Sequence, residues 1–142
     1  MFPSRRITTM GSSGFEDNFS LAFDGTDDYI AIPSTTYNIH NSTHSFVFWV
    51  KRNAINSWDV ILGNDVGAHN FILFDDDDGD RLIIEGTDGD NATGVCSVVA
   101  GIWHHIAIIA NGDGTLAMYQ DGVALSVSYD GGGDLGSSMT VD

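Results

Sequence analysis

Carboxylates are the chain's most abundant chemically competent groups, and they crowd where turns belong. Residues 75–80 read Asp-Asp-Asp-Asp-Gly-Asp, five aspartates in six positions. Oxygen ligands at that density suit a hard divalent cation. An EF-hand loop, however, needs Gly at its sixth position and acids at its first, third and fifth. Counting back from Gly79 puts Phe74 at the first position, so that motif fails. With FILF before it and RLIIE after it, the acidic run reads as a hairpin tip between two strands, able at best to share a cation with another loop. His104 and His105 are adjacent. Neighbouring strand residues point to opposite faces, so the pair cannot ligate one metal. His40, His44 and His69 have no ligand spacing. The one cysteine, Cys96, sits among Val95, Ser97, Val98 and Val99. It reads as a small buried hydrophobe rather than a nucleophile, and it can close no internal disulfide.

The elements that position these groups must be strands. The 142 residues include 17 glycines, and the length suits one domain with a real core. Asp-Gly recurs at Asp24, Asp78, Asp88, Asp113, Asp121 and Asp130, and this dipeptide favours tight hairpins. Short apolar runs lie between these turns: 21–23, 29–32, 45–50, 60–62, 71–74, 82–84, 94–99, 106–110, 116–120 and 124–129. About ten short strands at this spacing indicate a sandwich or barrel. SFVFWV and HHIAIIA are apolar at nearly every position. They are expected to be central strands, one face on the core and the other under loops or in a groove.

The charge balance excludes some functions. Twenty acids face five bases, a formal net charge of −15, which argues against binding nucleic acid through phosphates. Only Glu16 and Glu85 are glutamates, so the acidity is loop acidity, suited to solubility in a salty medium or to divalent cations. No run approaches the ~18 apolar residues of a membrane span. The N-terminus lacks the apolar core of a Sec signal peptide. Residues 1–19, with Arg5 and Arg6, read as a flexible or docking arm ahead of a β-domain over 20–142.

Four segments in order carry a family resemblance: SLAFDGTDDYIAIP, HSFVFWVKR, WDVILGND and GIWHHIAIIANGDGTLAMYQDGVAL. Together they resemble the laminin-G-like, concanavalin A-like lectin/glucanase group, which includes pentraxin-like domains, over residues 20 to about 130. The resemblance implies an all-β, antiparallel two-sheet jelly-roll sandwich. Members usually continue into a further strand that closes a sheet beside the first. Here the chain stops at GSSMTVD, so either the sheet is open, or MTVD and the N-terminal arm substitute, or another subunit supplies an edge.

The resemblance also frames the candidate sites. Glycosidases of this fold carry a Glu-x-Asp-x-x-Glu strand, and retaining hydrolysis needs two close carboxyls. That pattern is absent, so no catalytic residue is assigned. Calcium in this fold is held by Asp side chains and carbonyls from separate loops. The corresponding candidates are Asp24, Asp27 and Asp28, with Asp88 and Asp90 in a second oxygen-rich loop; hairpin shaping is the alternative for the first three. Trp49 and Trp103 lie inside apolar strands and are expected in the core. Trp58, at a loop edge, is the first sugar-stacking candidate and Tyr37 the second, with core packing the alternative for Trp58.

The resulting expectation is a non-enzymatic, surface-displayed binding or structural module of virion decoration or fibre type, with a lectin-like fold able to bind glycans. Its partners would be other subunits, whether copies of itself or capsid or tail proteins, and glycans, with no nucleic acid and no membrane insertion. Its place would be the virion surface or the extracellular medium, with Ca²⁺ optional. The alternative is a free carbohydrate-binding or adhesion module, a fragment of a larger extracellular protein.

Overall fold

Strict alternation shapes the long strands. In β2, Thr43–Val50, the side chains of His44, Phe46, Phe48 and Val50 turn inward while Thr43, Ser45, Val47 and Trp49 face out. In β7, His104–Asn111, the inward set is His104, Ile106, Ile108 and Ala110. This period of two gives each strand one core face. The computed structural model describes residues 30–31, 35–37, 42–63, 71–75, 80–86, 89–130, 135 and 139–141, with 35–37 and 139–141 described by backbone alone. The chain divides into two units, Met1–Ile30 and Ala31–Asp142. Only the exposed Ile30 of the first is described, and every strand below belongs to the second.

The remaining strands are β1 (Thr35–Tyr37), β3 (Asp59–Gly63), β4 (Phe71–Asp75), β5 (Arg81–Glu85), β6 (Asn91–Val95), β8 (Leu116–Gln120), β9 (Val123–Ala124), β10 (Val127–Tyr129) and β11 (Met139–Val141). They form a five-stranded sheet ordered β10-β6-β5-β4-β3, a four-stranded sheet ordered β2-β7-β8-β9, and a β1-β11 ribbon. All pairings are antiparallel. No helix occurs among the described residues. The two larger sheets are those of a jelly-roll sandwich, as the turn spacing predicts.

Between them lies a core of Ile72, Phe74, Leu82, Ile84, Ile106, Ile108, Met118 and Leu135, with smaller side chains including Cys96 and Val98. The sheets approach closely where Gly94 of β6 meets Met118 of β8. A Cβ on Gly94 would stand 2.7 Å from the Met118 sulfur. The Tyr129 hydroxyl of β10 crosses to β8, accepting from the Leu116 amide at 2.6 Å and donating to its carbonyl at 3.3 Å. The five-stranded sheet is buried on its other face too, at Leu73 and Ile83.

Several sequence expectations change. Residues 124–129 are not one strand: β9 pairs with β8, β10 pairs with β6, and the chain changes sheet at Leu125 and Ser126. Expected strand 94–99 lies earlier, at 91–95, because β6 takes its register from β5. Strand β2 has β7 as its partner among the described residues, and its outward face is exposed rather than covered. MTV forms β11, with Tyr37 opposite Met139. The acidic run does join two strands: Asp75 pairs with Arg81 in register and by a 2.7 Å ion pair. Residues 76–79 lie outside the described residues, as does the arm over 1–19.

Candidate functional site

All three tryptophans of the chain come to the surface at one end of the sandwich. Trp49, Trp58 and Trp103 are 64%, 57% and 52% exposed. Trp49 lies opposite His105 in the β2-β7 ladder, ring centroids 5.2 Å apart in an edge-on arrangement. The Lys51 ammonium stands 5.6 Å from the Trp103 ring centroid, a cation–π contact. By alternation Val47, Trp49, His105 and Ala107 share the outward face of the four-stranded sheet, and Tyr119 joins them opposite Ala107.

Three connections meet at this end, and buried polar groups fix them. Arg52 follows β2 and is buried. Its Nε donates to Asp59 Oδ2 at 2.9 Å and its terminal nitrogen to the Asn56 carbonyl at 2.6 Å. A further terminal nitrogen stands 3.8 Å from Asp80, and the guanidinium lies 5.0 Å from the Phe74 ring centroid. The Arg52 carbonyl accepts from Gly101 at 2.8 Å, tying residues 51–58 to the loop that carries Ile102 and Trp103.

The loop before β7 is held from the other side. His104 Nε2 accepts the Val99 amide at 3.1 Å, which places the ring proton of this tautomer on Nδ1, donated to Asp121 Oδ2 at 2.7 Å. Asp121 Oδ1 accepts the His105 amide at 2.8 Å. These bonds, led by the one from His104, hold the Asp121 carboxyl below the usual aspartate value. Gln120 exchanges two hydrogen bonds with the Ser97 backbone, at 2.8 and 2.7 Å. A shallow groove of ≈ 440 Å³ beside this latch is lined by Val95, Cys96, Ser97, Gln120, Asp121, Val123 and Leu125. Burial, assisted by Asp80, pushes the Cys96 thiol up to about 11. A thiol so protonated is a weak nucleophile. His104 resembles a hydrolase histidine beside an aspartate, but both its ring nitrogens are engaged in holding loops.

The sequence-selected residues fare differently. Trp49 and Trp103 are not in the core. Trp49 falls on the outward phase of β2, and Trp103 precedes β7 on the phase of His105. Trp58 stands exposed at a turn. Tyr37 is placed by backbone alone, in β1. Asp24, Asp27, Asp28 and Asp88 lie outside the described residues. Asp90 is half-buried, its carbonyl accepting from the Gly86 amide at 3.0 Å. No group of three or more His, Cys, Asp or Glu able to hold a metal occurs among the described residues. His104 and His105 do face opposite ways. Arg52, at the end of the HSFVFWVKR segment, is not among the residues that the sequence singles out. The signal was present: a cation among many acids, seven residues before Asp59.

The chain belongs to the concanavalin A-like lectin/glucanases superfamily, whose laminin-G-type model matches residues 24–138. Domains of this kind are mostly non-enzymatic binding modules. No curated protein and no solved structure matches the chain.

Proposed function

We propose that this domain is a non-enzymatic module that binds glycans through its tryptophan-bearing end. One observation carries the reading: Trp49, Trp58 and Trp103 are each more than half exposed on segments fixed by hydrogen bonds. Large aromatic surface is costly to leave in water unless something covers it. The C–H face of a pyranose ring packs on such rings, which present negative π faces to those hydrogens. The measurement is titration of the purified domain with neutral glycans, read by calorimetry and tryptophan fluorescence. Binding that Trp49→Ala and Trp103→Ala each weaken supports the reading, and wild-type affinity unchanged in both variants refutes it.

A second reading has its own observation. Val60, Val95, Val99, Ile102 and Val123 are exposed too, aliphatic surface beyond the tryptophans. That surface suits a protein neighbour in an assembly, such as a decoration or fibre-type virion protein. Solution mass by light scattering separates the two. A defined oligomer that Ile102→Asp dissolves favours assembly, and a monomer favours the glycan module.

A further inference from the structure

The turn that presents Trp58 is built against its own backbone preference. Trp58 has φ of 62°, in the left-handed region. Gly and Asn take this region at turns; a bulky aromatic there is strained. Asp121 is the other non-glycine residue with positive φ among those described, and it sits in the Asp121-Gly122 hairpin, where its type is favoured. Trp58 has no such excuse. The strain persists because the turn is held at both ends by one buried side chain. Arg52 bonds the Asn56 carbonyl, two residues before Trp58, and the Asp59 carboxylate, the residue after it. Its remaining terminal nitrogen faces Asp80, and Phe74 backs the guanidinium plane. Arginine's planar fork suits such multi-point fixing. The outcome is a rigid indole left more than half in water. Strain of this kind concentrates at ligand-contacting sites, where a surrounding framework imposes it.

We propose that Arg52 is a positioning residue that holds Trp58 as a second stacking platform, separate from the Trp49–His105 pair, so that the site reads a chain of sugars rather than a single ring. The inference rests on the glycan reading above and adds chain-length specificity to it. Trp58 belongs to the β2-β3 connection, while Trp49 lies on the sheet face. A single ring stacks on one platform; only a longer glycan can reach a second. Preorganising Trp58 removes the entropy cost of ordering it on binding.

The test titrates the whole chain with glucose, cellobiose and cellohexaose, and with the matching series of xylose, galactose and N-acetylglucosamine. Wild type is expected to gain affinity with length in one series. Trp58→Ala is expected to remove that gain, up to about tenfold, the value of one rigid aromatic contact. Arg52→Lys should lose part of the same gain, and nothing further when combined with Trp58→Ala. Asp59→Asn loosens the same clamp if the Arg52 variant fails to fold. Trp58→Gly should melt above wild type while binding as Trp58→Ala does. An unchanged length dependence in Trp58→Ala, with binding lost in Trp49→Ala, overturns this proposal and leaves the glycan reading standing. An equal cost of Arg52→Lys with and without Trp58 overturns the positioning role. No binding of any series by wild type overturns both.

Discussion

Asp121 receives the Nδ1 proton of His104 at 2.7 Å with one carboxylate oxygen and the backbone amide of His105 at 2.8 Å with the other. One carboxylate thus ties the start of β7 to the turn after β8, while the opposite edge of the same imidazole holds the Val99 amide. The loop carrying Ile102 and Trp103 is pinned through this ring.

The first prediction follows from the depressed carboxyl. Asp121 lies below the ordinary aspartate value of ~3.9, through its bonds to His104 first and to the His105 amide second. Its folded pKa is the lower one, so its contribution is full above ~3.9 and is lost as pH falls through the folded value. The other nineteen acids also titrate, and their repulsion eases on acidification. The readout is therefore a difference. Melting temperature against pH should show wild type above Asp121→Asn at pH 6, with the gap closing below about pH 4. A gap independent of pH would remove the carboxylate from the account.

The Tyr129 hydroxyl joins the two sheets at Leu116. Tyr129→Phe leaves ring packing in place and strips the Leu116 amide of its acceptor. An unsatisfied buried donor costs about 1–3 kcal/mol. Urea unfolding should show that loss in midpoint with an unchanged slope, whereas a loss under ~0.5 kcal/mol would mean that water replaces the hydroxyl.

The hairpin at Asp121-Gly122 was legible in the sequence, because the dipeptide tolerates positive φ and both residues adopt it, at 51° and 79°. So were the opposed faces of His104 and His105, which follow from strand geometry alone. The exposure of Trp49 was hidden. SFVFWV is apolar on both phases, so period two cannot say which face meets the other sheet; the packing partner decides. Residues 124–129 read as one strand because a change of sheet at Leu125 leaves no local mark. The Arg52 clamp left only a partial mark: Asp59 is seven residues on in the chain, but Asp80 reaches the guanidinium only after the strands pair. Trp58 could be picked out by type and position, but its left-handed backbone could not.

Gly94 is required by the sheet-to-sheet distance. A Cβ there would stand 2.7 Å from the Met118 sulfur and 3.3 Å from a Leu125 methyl. Met118 is fully buried, so its side chain has little room to yield. Gly94→Ala should therefore cost about 1–3 kcal/mol, the usual penalty of overpacking. Stability equal to wild type would show that methionine's flexibility absorbs the methyl.

Cys96 tests the protection of the core beneath the loops. Its thiol is pushed up to about 11, by burial first. At pH 8 the folded protein should react with a chromogenic disulfide reagent far more slowly than a free cysteine, and at once in denaturant. Reactivity close to that of free cysteine in the folded protein would mean that residues 95–99 open readily.

Trp49 and Phe48 are chain neighbours on opposite faces of β2 and separate binding from folding. Phe48 packs against the core, half-buried, and Trp49 stands in solvent. Phe48→Ala should cost on the order of 3 kcal/mol, as truncation of a core-packed aromatic does. Trp49→Ala should change stability by less than about 0.5 kcal/mol, as substitutions at the surface do. If the outward face serves recognition, the order reverses for binding. Trp49→Ala should weaken the glycan that wild type binds by about tenfold, the worth of one aromatic contact, while a Phe48→Leu variant that remains folded keeps wild-type affinity. A large stability loss in Trp49→Ala would make its indole a structural brace against His105, and the binding surface would then have to lie elsewhere.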